Sequence, residues 1–110
     1  MEEKVTAVYL LVWKSELKPE DGDNFEGPLE RQKQKCLEFI RKNGIDESKV
    51  VFYKSRSQLF TDVERDRIVR LVVHDVNRLA ADPGDLEGAL YELKMRTVEL
   101  LTVEGEAPGQ

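Results

Sequence analysis

Ile68-Val-Arg-Leu-Val-Val-His-Asp-Val76 is the stretch on which the fold turns. Only Arg70 interrupts its first six positions, so apolar and polar residues do not alternate. A run without alternation fits a strand covered on both faces, which is the condition of a parallel sheet. Downstream, Asn77 to Pro83 reads as a connection, and Gly84-Asp85 opens a helix with Asp85 as the expected N-cap. Leu86, Ala89, Leu90 and Leu93 follow at i, i+3, i+4 and i+7, the spacing of an amphipathic helix. Val98 to Val103 then reads as a fourth strand.

Upstream, Asp62 to Asp66 is expected to form a short helical turn, and Ser55 to Thr61 is polar apart from Leu59 and Phe60. Val50 to Tyr53 is a strand. Pro28 to Asn43 is a helix with proline in its first turn, and Asn43-Gly44 suits a left-handed cap. Leu29, Cys36, Leu37 and Ile40 fall near one of its faces, with Phe39 beside them. Lys14 to Gly27 is a long polar loop. Val5 to Trp13 is a second unbroken apolar run and the expected first strand. Alternating strands and helices in this order predict an α/β domain of three layers. Its mainly parallel four-stranded sheet would be flanked by helices and joined by right-handed crossovers. One domain over residues 1–104 and a disordered tail over 105–110 are expected.

The 110 residues suffice for one domain, and 40% hydrophobic residues suffice for one core. A net charge of -5 argues against tight non-specific binding to nucleic acid, which needs a cationic excess. Arg65, Arg67, Arg70 and Arg78 are close in sequence, and a solvated surface accounts for them. One cysteine, Cys36, forms no disulfide within the chain, and with the single His74 it makes no zinc site. No metal, cofactor or membrane contact is expected. The start Met1-Glu-Glu-Lys4 lacks the parts of a signal peptide, so a cytoplasmic location is the expectation.

Sites in open parallel sheets lie beyond the carboxyl ends of the strands. Here those ends are Trp13-Lys14-Ser15, Lys54-Ser55-Arg56-Ser57, Asn77-Arg78 and Glu104, and the first three are expected to share a crevice. No glycine-rich phosphate loop follows the first strand, and no Gly-x-Ser-x-Gly elbow exists. A catalytic triad would need His74, which stands within a strand beside Asp75 and reads as a packed residue. Lys14, Ser15, Arg56 and Arg78 are the candidates for holding an anion, with a place on the hydrated surface the weightier account of them. Trp13 reads as a lid on the core.

Arg67-Ile-Val-Arg-Leu-Val-Val-His-Asp-Val-Asn-Arg-Leu-Ala-Ala-Asp82 resembles the third strand and following loop of the serine recombinase (resolvase/invertase) catalytic domain. In that family an apolar strand leads into Asp-Arg-Leu-x-Arg. Ala7-Val-Tyr-Leu-Leu-Val-Trp13 is similar to its opening strand, which usually reads Tyr-x-Arg-Val-Ser. Leu29-Glu-Arg-Gln-Lys-Gln-Lys-Cys36 and the residues to Gly44 resemble the helix that follows. Val51-Phe-Tyr-Lys-Ser-Arg56 resembles the second strand and its basic end. The Leu-Glu-Arg-Gln helix and the Asn-Arg-Leu loop carry the most weight.

That family attacks a DNA phosphodiester with a serine and steadies the developing charge with arginines. Carried over by position, the resemblance puts Trp13 where the nucleophile stands and Leu11 where an arginine stands. Asn77 takes the place of the aspartate and Ala81 that of the second arginine of the loop motif, while Arg78 is retained. Arg56 matches a further basic position. The catalytic positions are thus degenerate, and Ser15 lies two residues past the nucleophile's place. The family's dimerising helix and helix-turn-helix have no counterpart here, so DNA contact is expected to be weak or indirect. The resemblance implies a non-catalytic binding or assembly module linked to DNA recombination or a mobile element, self-associating or paired with a recombinase. A small enzyme binding an anion or nucleotide in the crevice is the alternative.

Overall fold

A computed structural model describes residues 4–22 and 24–105. Its regular elements are β1 (Val5–Tyr9), α1 (Glu26–Lys42), β2 (Val50–Tyr53), α2 (Arg56–Glu64), β3 (Ile68–Val73), α3 (Pro83–Met95) and β4 (Glu99–Thr102). The four strands form one sheet in the order β2-β1-β3-β4, and every pairing is parallel. This is the expected α/β architecture, with the sheet wholly parallel.

Side-chain alternation along the strands sorts the core into two halves. Ala7, Tyr9, Leu71, Val73 and Leu100 point to the side covered by α2 through Leu59 and Val63 and by α3 through Leu93. Val8, Leu10 and Val72 point to the other side, against Cys36 and Ile40 of α1. The central strands are therefore sealed on both faces, which is why β1 and β3 read as continuous apolar runs. The chain steps one way from β1 to β2 and the other way from β2 to β3 and β4. Crossovers of one hand then require α1 on the opposite face from α2 and α3, as observed. The direction reverses between β1 and β3, and a crevice opens beyond their carboxyl ends.

Several expected boundaries move. β1 ends at Tyr9 rather than Trp13, because beyond Leu10 the backbone is taken up by side chains. Leu10 N–H still donates to Tyr53 O at 2.9 Å. β3 ends at Val73 rather than Val76, because Asp75 accepts from Asn77 N–H and caps a 3-10 turn over Val76–Arg78. The polar piece Ser55 to Thr61 and the turn to Asp66 are one helix, α2. Ser55 caps it by accepting from Gln58 N–H, and only Leu59 and Val63 anchor it in the core. Asp82, not Asp85, is the N-cap of α3, accepting from Asp85 N–H at 2.9 Å with Pro83 in the first turn. α1 starts at Glu26, two residues before the expected Pro28, and β4 is shorter by a residue at each end. Asn43 and Gly44, at φ +69°, end α1 as expected.

The loop before α1 carries 3-10 turns at Lys14–Glu16 and Pro19–Asp21. Of the tail expected over residues 105–110, all but Gly105 lies outside the described residues, and Gly105 O accepts from Thr102 Oγ1 at 3.0 Å. No helix among the described residues is long and apolar enough to cross a membrane.

Candidate functional site

The crevice between β1 and β3 is built around the backbone of Leu11. The Gln32 side chain from α1, buried to 6% exposure, treats Leu11 as a neighbouring strand would. Leu11 N–H donates to Gln32 Oε1 at 3.0 Å, and Gln32 Nε2 donates back to Leu11 O at 2.9 Å. The same carbonyl accepts from Arg78 Nη1 at 3.0 Å. The Leu-Glu-Arg-Gln helix and the Asn-Arg-Leu loop, distant in sequence, thus converge on one residue.

Arg78 is gripped by partners within the chain through Nε and Nη1. Its side chain is 11% exposed. Nη1 forms a close ion pair with Glu16 Oε1, and Nε lies 3.1 Å from Asp75 Oδ2. Burial alone would lower the guanidinium's pKa, but the Glu16 hydrogen bond and the Asp75 charge outweigh it and hold the pKa above its ordinary value. Asp75 answers in kind. Burial pushes its carboxyl up, but the hydrogen bond with His74 and the Arg78 charge bring it below the usual range. His74 Nδ1 sits 2.8 Å from Asp75 Oδ2, and Nε2 is 3.4 Å from Glu104 Oε1. His74 is the packed residue expected, and it joins the ends of β3 and β4.

Trp13 leans across the same crevice, its Nε1 donating to Asn77 O at 3.2 Å. It lines a cavity of about 260 Å³ together with Tyr9, Leu11, Arg56, Arg78 and Ala81. The strand ends do share a crevice in that Trp13, Arg56 and Arg78 meet there. Lys14 and Ser15 do not line it; both are exposed on the 3-10 turn after Trp13. Arg56 donates Nε to Leu79 O at 2.8 Å and lays its guanidinium 5.0 Å from the Phe60 ring centre. The arginines close in sequence do not form one patch: Arg65 and Arg67 precede β3, Arg78 follows it, and Arg70 pairs with Glu99.

Sequence reasoning missed Glu16, Gln32 and Asp75. Gln32 was visible as the polar residue on the apolar face of α1, one turn before Cys36. Glu16 carries no local signal, because its partner lies 62 residues away.

A doubly wound parallel sheet of order 2-1-3-4, with side chains gathered at its switch point, defines the class of fold. It is the fold of the serine recombinase catalytic domain. The crystal structure of the C-terminal catalytic domain of ISC1926 TnpA, an IS607-like serine recombinase, matches 94% of this chain and 69% of that one. The TM-score is 0.70 and the sequence identity 19%. No protein-family model and no curated protein sequence matches the chain.

Proposed function

We propose that this chain is a recombinase-fold domain that does not cut DNA and serves as a binding or assembly module, pairing with itself or with an active recombinase in DNA recombination or a mobile element. The observation that carries the reading is the engagement of Arg78. Anchoring a phosphate in a transition state needs donors aimed at the phosphate oxygens. Arg78 instead commits Nε and Nη1, three of its five N–H donors, to Asp75, Glu16 and the Leu11 carbonyl. An incoming phosphate would meet the charge of two carboxylates already paired with this arginine.

The resemblance adds that Trp13 stands at the nucleophile's position, and an indole has no atom able to attack phosphorus. Trp13 lines the same cavity as Leu11 and Ala81, where the resemblance would put arginines. The competing reading, a small enzyme holding an anion or nucleotide in this crevice, requires the anion to bind beside the carboxylates of Glu16 and Asp75.

Incubation of the purified chain with supercoiled DNA, followed by denaturing electrophoresis, tests the proposal. No protein–DNA adduct and no relaxation are expected. A covalent adduct lost on Ser15→Ala would refute it.

A further inference from the structure

The outward face of α3 is left exposed by the described residues. Ala89 and Leu93 are buried, with Leu86 and Leu90 packed against the same core. Opposite them, Tyr91 is 64% exposed and Met95 61% exposed, more than any other large hydrophobic side chain among the described residues. At i and i+4 they form one apolar surface rather than two isolated side chains. Positions 84, 88, 91 and 95 run along one side of the helix at spacings of four, three and four. The first two are glycines. Gly84 lies close to the capping carboxylate of Asp82, but a Cβ at Gly88 would meet nothing within 4 Å. Glycine in a helix interior is unfavourable relative to alanine, and no contact among the described residues calls for one at position 88.

The stripe is symmetric about the midpoint between Gly88 and Tyr91. A helix laid antiparallel across that midpoint sets Tyr91 against Gly88 and Met95 against Gly84, and does so twice. Charge follows the same symmetry. The helix is acidic where it starts, at Asp85 and Glu87, and basic where it ends, at Lys94 and Arg96. In the antiparallel pair Glu87 comes within side-chain reach of Lys94 of the second copy. Arg96, on the other flank, holds Glu92 in its own helix at 3.3 Å.

The geometry points to a homodimer in which α3 packs antiparallel on α3 of a second copy, the exposed Tyr91 and Met95 seated over Gly88 and Gly84 and the end charges crossing. A closed two-fold pair of this kind needs one self-complementary surface, and this face is self-complementary in both shape and charge. One helix pair is a small interface, so the association is weak and reversible. The inference deepens the assembly reading and rests on its self-pairing branch. The DNA adduct assay does not depend on it, so the two can fail separately.

Sedimentation equilibrium of the chain from micromolar to millimolar concentration tests it. A reversible monomer–dimer equilibrium is expected. Gly88→Leu should weaken it by about tenfold or more, because the added side chain bars close approach. The monomer should keep its melting temperature, since the site has open space. Glu87→Lys should weaken association roughly tenfold, and adding Lys94→Glu should restore it to within about threefold by reversing the pairing. A chain that stays monomeric at millimolar concentration would leave the face to some other partner and overturn the inference. So would a dimer indifferent to Gly88→Leu, or a double exchange no better than Glu87→Lys alone.

Discussion

Arg78→Met separates a clamp from a ligand-binding arginine. A guanidinium kept for an incoming anion is a burden on the empty protein, so its removal would leave stability unchanged or raised. The structure predicts a loss. Removing one partner from a buried ion pair costs about 3–5 kcal/mol. Here the carboxylates are only partly covered, Asp75 at 23% and Glu16 at 34% side-chain exposure, so Glu16 can turn to water. Leu11 O keeps Gln32, and Asp75 keeps His74 and Asn77 N–H. The remaining cost is about 2–3 kcal/mol, which lowers Tm by roughly 10–15 °C for a domain of this size. Urea unfolding followed by circular dichroism reads it as a lower midpoint at unchanged slope.

The pH dependence carries a sign. Arg78 helps to depress the folded-state pKa of Asp75. The stability this gives is present above the ordinary aspartate value, about 3.9, and is lost as pH falls through the lower folded value. The gap between wild type and Arg78→Met should therefore narrow in acid. A loss below about 0.5 kcal/mol at neutral pH, within the range of an ordinary surface substitution, would refute the clamp.

Three further outcomes follow from the same contacts. Gln32→Leu leaves the Leu11 N–H without its partner and should cost about 1–3 kcal/mol by urea unfolding, while Gln34→Leu on the exposed side of α1 stays within about 0.5 kcal/mol. Asp82→Ala should speed hydrogen exchange at the Asp85 amide and lower Tm, and the unmodified Asp82 should lose this capping contribution as pH falls through its depressed pKa, which the Asp85 amide lowers first. Burial pushes the Cys36 thiol up to about 11, against a smaller opposing pull from Arg78. Iodoacetamide should leave the folded chain unmodified at pH 8 and label it fully in denaturant.

What was legible in the sequence follows from what the core demands locally. β1 and β3 could be read because strands covered on both faces must be apolar at nearly every position. α1 could be read from Cys36 and Ile40 at helical spacing and from the Gly44 stop. α2 escaped because its nine residues bury only Leu59 and Val63, too few to show a period. Its signal was instead the cap, Ser55 three residues before Gln58. Asp82 was passed over for Asp85 because Pro83 looked like part of the connection, although proline just after the cap is a common helix start.

The site was legible as a place and not as an arrangement. The strand ends named Trp13, Lys14, Ser15, Arg56 and Arg78 as neighbours, and Lys14 and Ser15 stand outside the crevice the others line. Nothing local states that Arg78 faces Glu16, or that Gln32 closes on Leu11 from 21 residues away. Those pairings depend on how α1 and the loop before it settle over the end of β1.

The chain has one tryptophan, so a proton–nitrogen spectrum contains one indole N–H resonance, at the mouth of the crevice. Titration of the labelled protein with a short DNA oligonucleotide, watching Trp13 Nε1–H and Arg78 Nε–H, tests most directly whether the crevice is closed to a phosphodiester. Both signals should hold their positions up to millimolar DNA. A saturable shift of both, abolished by Arg78→Met, would contradict the account and return the crevice to phosphate chemistry.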